Sequence, residues 1–172
     1  MQIDKHSAAL RQLDSAIQGF FTGEDIIACH TLAGASSMLL SDLVNLKCPG
    51  KSWDAVAQED NGLSPKEYYA ITRKTQNFLK HADKDSGAIL EFNPVDFTHI
   101  VFFATLNNGE LGGIKSHAVQ FFQLWYIACN SELFTDQKSI LEPSLQLFGQ
   151  IGNQSFDSQR EHGSIKWAST TS

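Results

Sequence analysis
The sequence predicts an all-α fold, a helical bundle of five to seven helices, and three observations carry that expectation. Apolar residues recur at spacings of three and four along most of the chain, the period of a helix with one buried face. The breaks between these runs are short and rich in Gly, Pro, Asn and Asp. Helix-start chemistry sits where it should: Ser64, Pro65 and Glu67 form a capping box with proline at the first helical position.

Each element follows from the same reasoning. Leu10, Leu13, Ile17, Phe20 and Phe21 give a first helix over 5–21, stopped at Thr22-Gly23. Glu24 and Asp25 open a second helix, 25–46, where the dipole favours acids. Its centre, Ala33 to Ser37, is almost all small. Glycine and serine cost helix propensity, so a close-packed neighbour is expected there, from the same chain or from a second subunit. His30, one turn before Gly34, reads either as a hydrogen-bonded core or interface histidine or as a site residue.

After Cys48-Pro49-Gly50, a short helical turn is expected over 52–58 and a polar loop over 59–62. The capped helix from Ser64 runs to Asp83, with Tyr68, Ile71, Thr72, Thr75, Phe78, Leu79 and Ala82 as its apolar stripe. An acid-rich loop follows, then a short extended stretch over 88–92. Asn93 caps a helix that begins at Pro94 and ends at Asn107-Asn108-Gly109. A strongly amphipathic helix covers 114–129. A further one follows near 131–148, where Pro143 should kink or divide it. From Gly152 the chain turns polar. The domain is therefore 1–152, and 153–172 is a loosely ordered tail unless Ile165 and Trp167 dock.

The 172 residues suit one domain with a substantial core, and 42% hydrophobic with 19% charged residues marks a globular chain. A formal charge of −6 offers no global attraction to nucleic acid or anionic membrane, so polyanion binding would need a local patch near Lys74, Lys80 and Lys84. Cys29, Cys48 and Cys129 are odd in number and widely spaced. They fit a reducing, cytoplasmic setting, not a disulfide or zinc pattern. No apolar run approaches membrane-spanning length and no signal-like core opens the chain, so no membrane is expected as partner. Phosphate-loop, dinucleotide and nucleophile-elbow patterns are absent, and no cofactor is expected. Asp96 and His99, with His30, His81 or His117, fall short of a bundle metal site, which needs several glutamates and paired Glu-x-x-His segments.

Chemistry concentrates at the far end of the capped helix. Arg73, Asn77 and His81 lie four apart, and each step of four advances a helix by about 40°, so they form one ridge. Imidazole, amide and guanidinium together suit a phosphate ester: proton transfer, orientation and charge stabilisation. The plainer reading is a solvated basic face, with His81 favouring the negative end of the helix dipole.

Two segments resemble a known group. Thr31-Leu32-Ala33-Gly34-Ala35 is similar to a TLAGAA segment of uncharacterised prokaryotic proteins, and Gln76-Asn77-Phe78-Leu79-Lys80-His81 to their RNxLKH segment. The second resembles the Arg-spacer-His signature of the HEPN superfamily, helical bundles that are often dimeric. The resemblance spans residues 10–85. It implies a homodimer with RNA as a ligand, a protein partner such as an antitoxin, and in many members a metal-independent endoribonuclease of toxin or defence type. Others are non-catalytic binding or scaffold modules. Carried onto this chain, His81 is the acid or base, Asn77 orients, Arg73 stabilises the phosphorane, and Lys80 and Lys84 bind. Gln76 stands where the signature arginine belongs, and a neutral amide cannot replace a charged bidentate clamp.

Overall fold
In the computed structural model, which describes residues 1–81, 83 and 86–170, α1 (Lys5–Thr22) and α2 (Ile26–Lys47) make the most extensive pair. Asp4 caps α1 by accepting from Ser7 N–H, and Gly23, at φ 87°, ends it in the left-handed region open to glycine. Asp25 caps α2 by accepting from Ile27 and Ala28 N–H. The small centre of α2 is explained within the chain. Ala33 and Ser36 are buried against α1, where Ser36 Oγ donates to Ala9 O at 2.8 Å. Gly34 faces another way, toward Gln76.

The remaining elements are α3 (Trp53–Asp60), α4 (Pro65–Thr72), α5 (Lys74–Lys80), α6 (Pro94–Glu110), α7 (His117–Cys129), a 3-10 turn (Ser131–Phe134), α8 (Lys138–Phe148) and α9 (Phe156–Thr170). Among the described residues that makes nine α-helices, more than the five to seven expected, and no strand. Three differences account for the excess. The turn over 52–58 is a full helix. The capped helix divides at Arg73. The tail is helical. Residues 88–92, expected to be extended, carry no regular structure. α6 runs on to Glu110 because Asn107 and Asn108 are fully buried, their amides bonded to other elements. Pro143 does not divide α8. The carbonyl that loses its partner there is that of Ser139, which is exposed and open to water.

The core is aromatic. Phe20 of α1 packs on Phe97 of α6 (centroids 4.9 Å apart) and edge-on to Trp125 of α7 (5.3 Å). The loosely ordered tail is corrected by this same cluster. Trp167 stacks on Phe21 at 5.7 Å, and Trp125 Nε1 donates to Gln159 O at 2.9 Å. Arg160 donates to Phe20 O (3.0 Å), a carbonyl in the last turn of α1, and to Glu24 O (3.1 Å) in the connection to α2. Ile165 stays exposed, so Trp167 alone of the two expected anchors docks. α2, 22 residues long, is by length and composition apolar enough to cross a membrane, contrary to expectation. The core helices of globular domains meet the same description, and α2 buries Cys29, Ala33, Leu40 and Val44 inside this fold.

Candidate ligand-binding cleft
α4 starts as its sequence dictates. Ser64 Oγ accepts from Glu67 N–H, and the Glu67 carboxylate accepts from Ser64 N–H at 2.9 Å. The Ser64 hydroxyl also donates to that carboxylate, and this bond, with the one from Ser64 N–H, holds the Glu67 carboxyl below its ordinary range. The helix then breaks at Arg73, whose φ −101° and ψ 7° lie in the bridge region. Thr72 Oγ1 donates back to Tyr68 O at 3.1 Å, a bond that competes with regular helix. The Arg73 guanidinium lies 3.8 Å from the Tyr69 ring centre, a cation–π contact. Beyond the break, Thr75 and Gln76 of α5 are buried.

The three residues of the predicted triad keep helical backbone bonds, Asn77 N–H donating to Arg73 O (2.8 Å) and His81 N–H to Asn77 O (3.1 Å), and their side chains differ in setting. Arg73 is half-buried at the junction, Asn77 is exposed on α5, and His81 lies past the helix end with an extended backbone. The His81 ring is exposed, with Nδ1 3.9 Å from Asp83 Oδ1. Arg73 lines a cavity that neither Asn77 nor His81 touches. Lys80 is exposed, its Nζ 3.6 Å from Met38 Sδ. Lys84, and Ala82 of the expected apolar stripe, lie outside the described residues. Of the histidines weighed for a metal, His99 Nδ1 shares a 2.8 Å hydrogen bond with Tyr126 Oη, and His117 packs on Trp167.

The cavity itself encloses about 240 Å³ between α2, α3, the α4–α5 junction and α6. Gly34, Met38 and Ser41 form one wall, Asp54 and Tyr68 another, and Arg73, Gln76, Ile100 and Phe103 complete it. A second cavity of about 280 Å³ adjoins it through Thr72, His99 and Ile100 and reaches His30, Lys74, Glu91 and Asp96.

Asp54 is held firmly. Tyr68 Oη donates to its Oδ1 (3.2 Å), Asn107 Nδ2 donates to its Oδ2 (3.1 Å), and Trp53 N–H fixes Asn107 by donating to Oδ1 (3.0 Å). Burial, reinforced by the Asp54 carboxylate, pushes the Tyr68 phenol well above its ordinary value, so it stays a donor. Among the described residues neither Asp54 nor Arg73 has an ion-pair partner within 4.0 Å. Two side chains are less satisfied. Gln76 is 2% exposed, and neither its Oε1 nor its Nε2 has a hydrogen-bond partner among the described residues. His30 is fully buried, both ring nitrogens likewise without partner, its ring 5.5 Å from that of Phe92. Burial lowers the pKa of His30 and of His99, with Asp96 pulling each the other way.

Spacing alone missed Asp54, Tyr68, His99 and Asn107 as a group, because three elements, α3, α4 and α6, bring them together. Gln76 was visible as the oddity in its motif, and Gly34 as the glycine in a helix; their contact joins the two signals. Comparison of the chain with family models, with curated proteins and with solved structures finds no match.

Proposed function
We propose that this chain is a HEPN-like binding module that holds a small ligand in the cleft between α2, the α4–α5 junction and α6, and that it works as a homodimer. One observation carries the reading: the residue at the signature arginine position, Gln76, is turned inward and lines a 240 Å³ cavity, its amide buried against Gly34 with no hydrogen-bond partner among the described residues. Buried polar groups are nearly always hydrogen-bonded, and those that are not tend to mark sites. An inward neutral amide suits ligand recognition and cannot clamp a scissile phosphate.

The second reading, a metal-independent ribonuclease, draws support from the exposed His81 imidazole beside Asp83, free to meet a second subunit. There His81 would transfer the proton, with Asn77 orienting and Arg73 steadying the phosphorane. Incubation of purified protein with mixed RNA, beside a His81→Ala variant, decides between them. The binding-module reading expects no cleavage, or trace cleavage equal in both proteins. Cleavage by the parent that disappears in His81→Ala overturns it. Sedimentation equilibrium at micromolar concentration tests the dimer.

A further inference from the structure
Helix α2 is covered by its own fold on two sides. α1 covers one, where Ser36 Oγ reaches Ala9 O and Cys29 lies against Gly19. α5 and α6 cover another, where Gly34 meets Gln76. Along the third side, Ala28, Leu32, Ala35, Leu39, Asp42 and Leu46 follow at alternating steps of four and three. At about 100° per residue they stay within about 40° of one line, a stripe about 27 Å long.

Ala28, Leu32, Asp42 and Leu46 are exposed, and Ala35 and Leu39 are half-buried, with Leu39 lending part of its side chain to the core. Leu46 is 79% exposed and Leu32 36%. Steps of four and three are the spacing by which one helix seats its apolar residues against another. Added to two covered sides, the stripe gives α2 more apolar surface than its own domain hides.

Resting on the homodimer of the reading above, we propose that this stripe is the subunit interface and that it pairs with the same stripe of a second copy, running antiparallel. The ends of α2 select that occupant and that direction. Glu24 and Asp25 stand exposed at its N-terminus, and Lys47 stands exposed at its C-terminus. An antiparallel copy sets each acidic end beside a lysine and opposes the two helix dipoles. A parallel copy stacks acid on acid and lysine on lysine. A two-fold axis makes every contact twice, so the surface is complementary to itself. In the register that overlaps the whole stripe, Ala28 opposes Leu46 and Ala35 opposes Leu39, small against large, which lets the helices interdigitate. Asp42 is the one charged residue of the six. It lies one turn from Met38, whose Sδ is 3.6 Å from the Lys80 ammonium, so a cation stands near its carboxylate.

Sedimentation equilibrium of the whole chain should find a dimer at high micromolar concentration. Leu46→Glu takes two leucines out of the interface and puts two carboxylates in, and should weaken the dimer at least about tenfold. Leu32→Glu should act in the same direction, while Ile165→Glu, at an exposed site on α9, should leave the dimer unchanged. All three sites are at the surface, so circular dichroism of each variant should match that of the parent. Charge exchange reads the direction. Lys47→Glu should weaken the dimer by roughly threefold to tenfold, and adding Glu24→Lys should restore it. A dimer that both leucine variants leave intact overturns this surface and leaves the homodimer standing. A double exchange that restores nothing overturns the antiparallel pairing. A monomeric parent overturns both, and flotation of that monomer with phosphatidylcholine vesicles assigns the face to lipid. No small molecule enters these measurements, so the cleft is judged separately.

Discussion

Replacing Gln76 by methionine should make this protein more stable while emptying its cleft of function. The amide is 2% exposed and carries two polar atoms without partners among the described residues. An unsatisfied buried donor or acceptor costs about 1–3 kcal/mol in desolvation. Methionine matches glutamine in length, is unbranched where the amide forks, and brings no group that needs a partner, and changes of similar volume in a core usually cost less than about 1.5 kcal/mol. A net gain of about 1–2 kcal/mol is therefore expected. In a chain of 172 residues, each kcal/mol moves Tm by roughly 2–4 °C. Urea denaturation followed by circular dichroism measures it, with the m-value unchanged if the unfolded state is unaffected. A variant equally or less stable, at constant m, would refute the reasoning. It would mean that ordered water already satisfies the amide in the free protein. Natural proteins accept such local costs where binding requires them, so a stabilised variant that has lost its ligand is the signature of a site.

Three further outcomes follow from the same geometry. Gly163→Ala should loosen α9, because the new Cβ would lie 2.5 Å from Phe21 Cε1 and 2.9 Å from Trp125 Nε1. The overpacking cost of roughly 1–3 kcal/mol should exceed the helix-propensity gain of about 1 kcal/mol, and faster proteolysis near residue 153 with lower urea resistance would record it. Tyr68→Phe removes one of the two hydrogen bonds to the Asp54 carboxylate and should cost about 1.5–3 kcal/mol, the range for bonds to charged groups, read from the urea midpoint. For pH, burial depresses the pKa of His30 and His99 below the ordinary value of 6.5. Below that value the unfolded chain takes up protons that the folded chain refuses, so stability is flat above it and falls as pH drops toward the folded pKa. The slope for each histidine is at most about 1.4 kcal/mol per pH unit. His30→Phe, which keeps the ring beside Phe92, should make that fall shallower, and an unchanged profile between pH 6.5 and 5 would show that His30 contributes nothing to it.

Much of the fold was legible because it depends on local pattern. The caps at Asp25, Ser64 and Asn93 are side chains bonding to backbone two or three residues on, and sequence displays such pairs directly. The break at Arg73 was not legible, since the capped stretch reads as one helix; beside it lie a Thr72 back-bond and an arginine resting on Tyr69. Arg73, Asn77 and His81 keep helical backbone bonds beyond it and differ in burial, a tertiary property that spacing does not display. The tail misled for a different reason. Its composition is polar, yet a glycine, Gly163, lets α9 approach Phe21 and Trp125, and Arg160 meets one carbonyl in the last turn of α1 and one in the α1–α2 connection. Composition records what a segment lacks, and docking depends on what its neighbours leave open.

The same distinction explains why fold and cleft share one stretch of sequence. Residues 33–36 of α2 serve two neighbours at once. Ala33 and Ser36 bring α1 close enough for a buried 2.8 Å hydrogen bond to Ala9 O. Gly34, on another face, leaves the space that the Gln76 amide occupies, since a Cβ there would come within 2.5 Å of Gln76 Cδ. On the α1 side the small residues are repaid by packing, whereas the helix-propensity cost of Gly34, about 1 kcal/mol against alanine, falls on the α5 side. On the α5 side it admits a polar group that the free protein leaves unbonded. A core position selected only for stability would hold an apolar side chain at 76 and alanine at 34, because both changes relieve a cost. The glycine and the amide therefore answer each other, Gly34 leaving the room that Gln76 fills, at a cost that the Gln76→Met measurement reads directly.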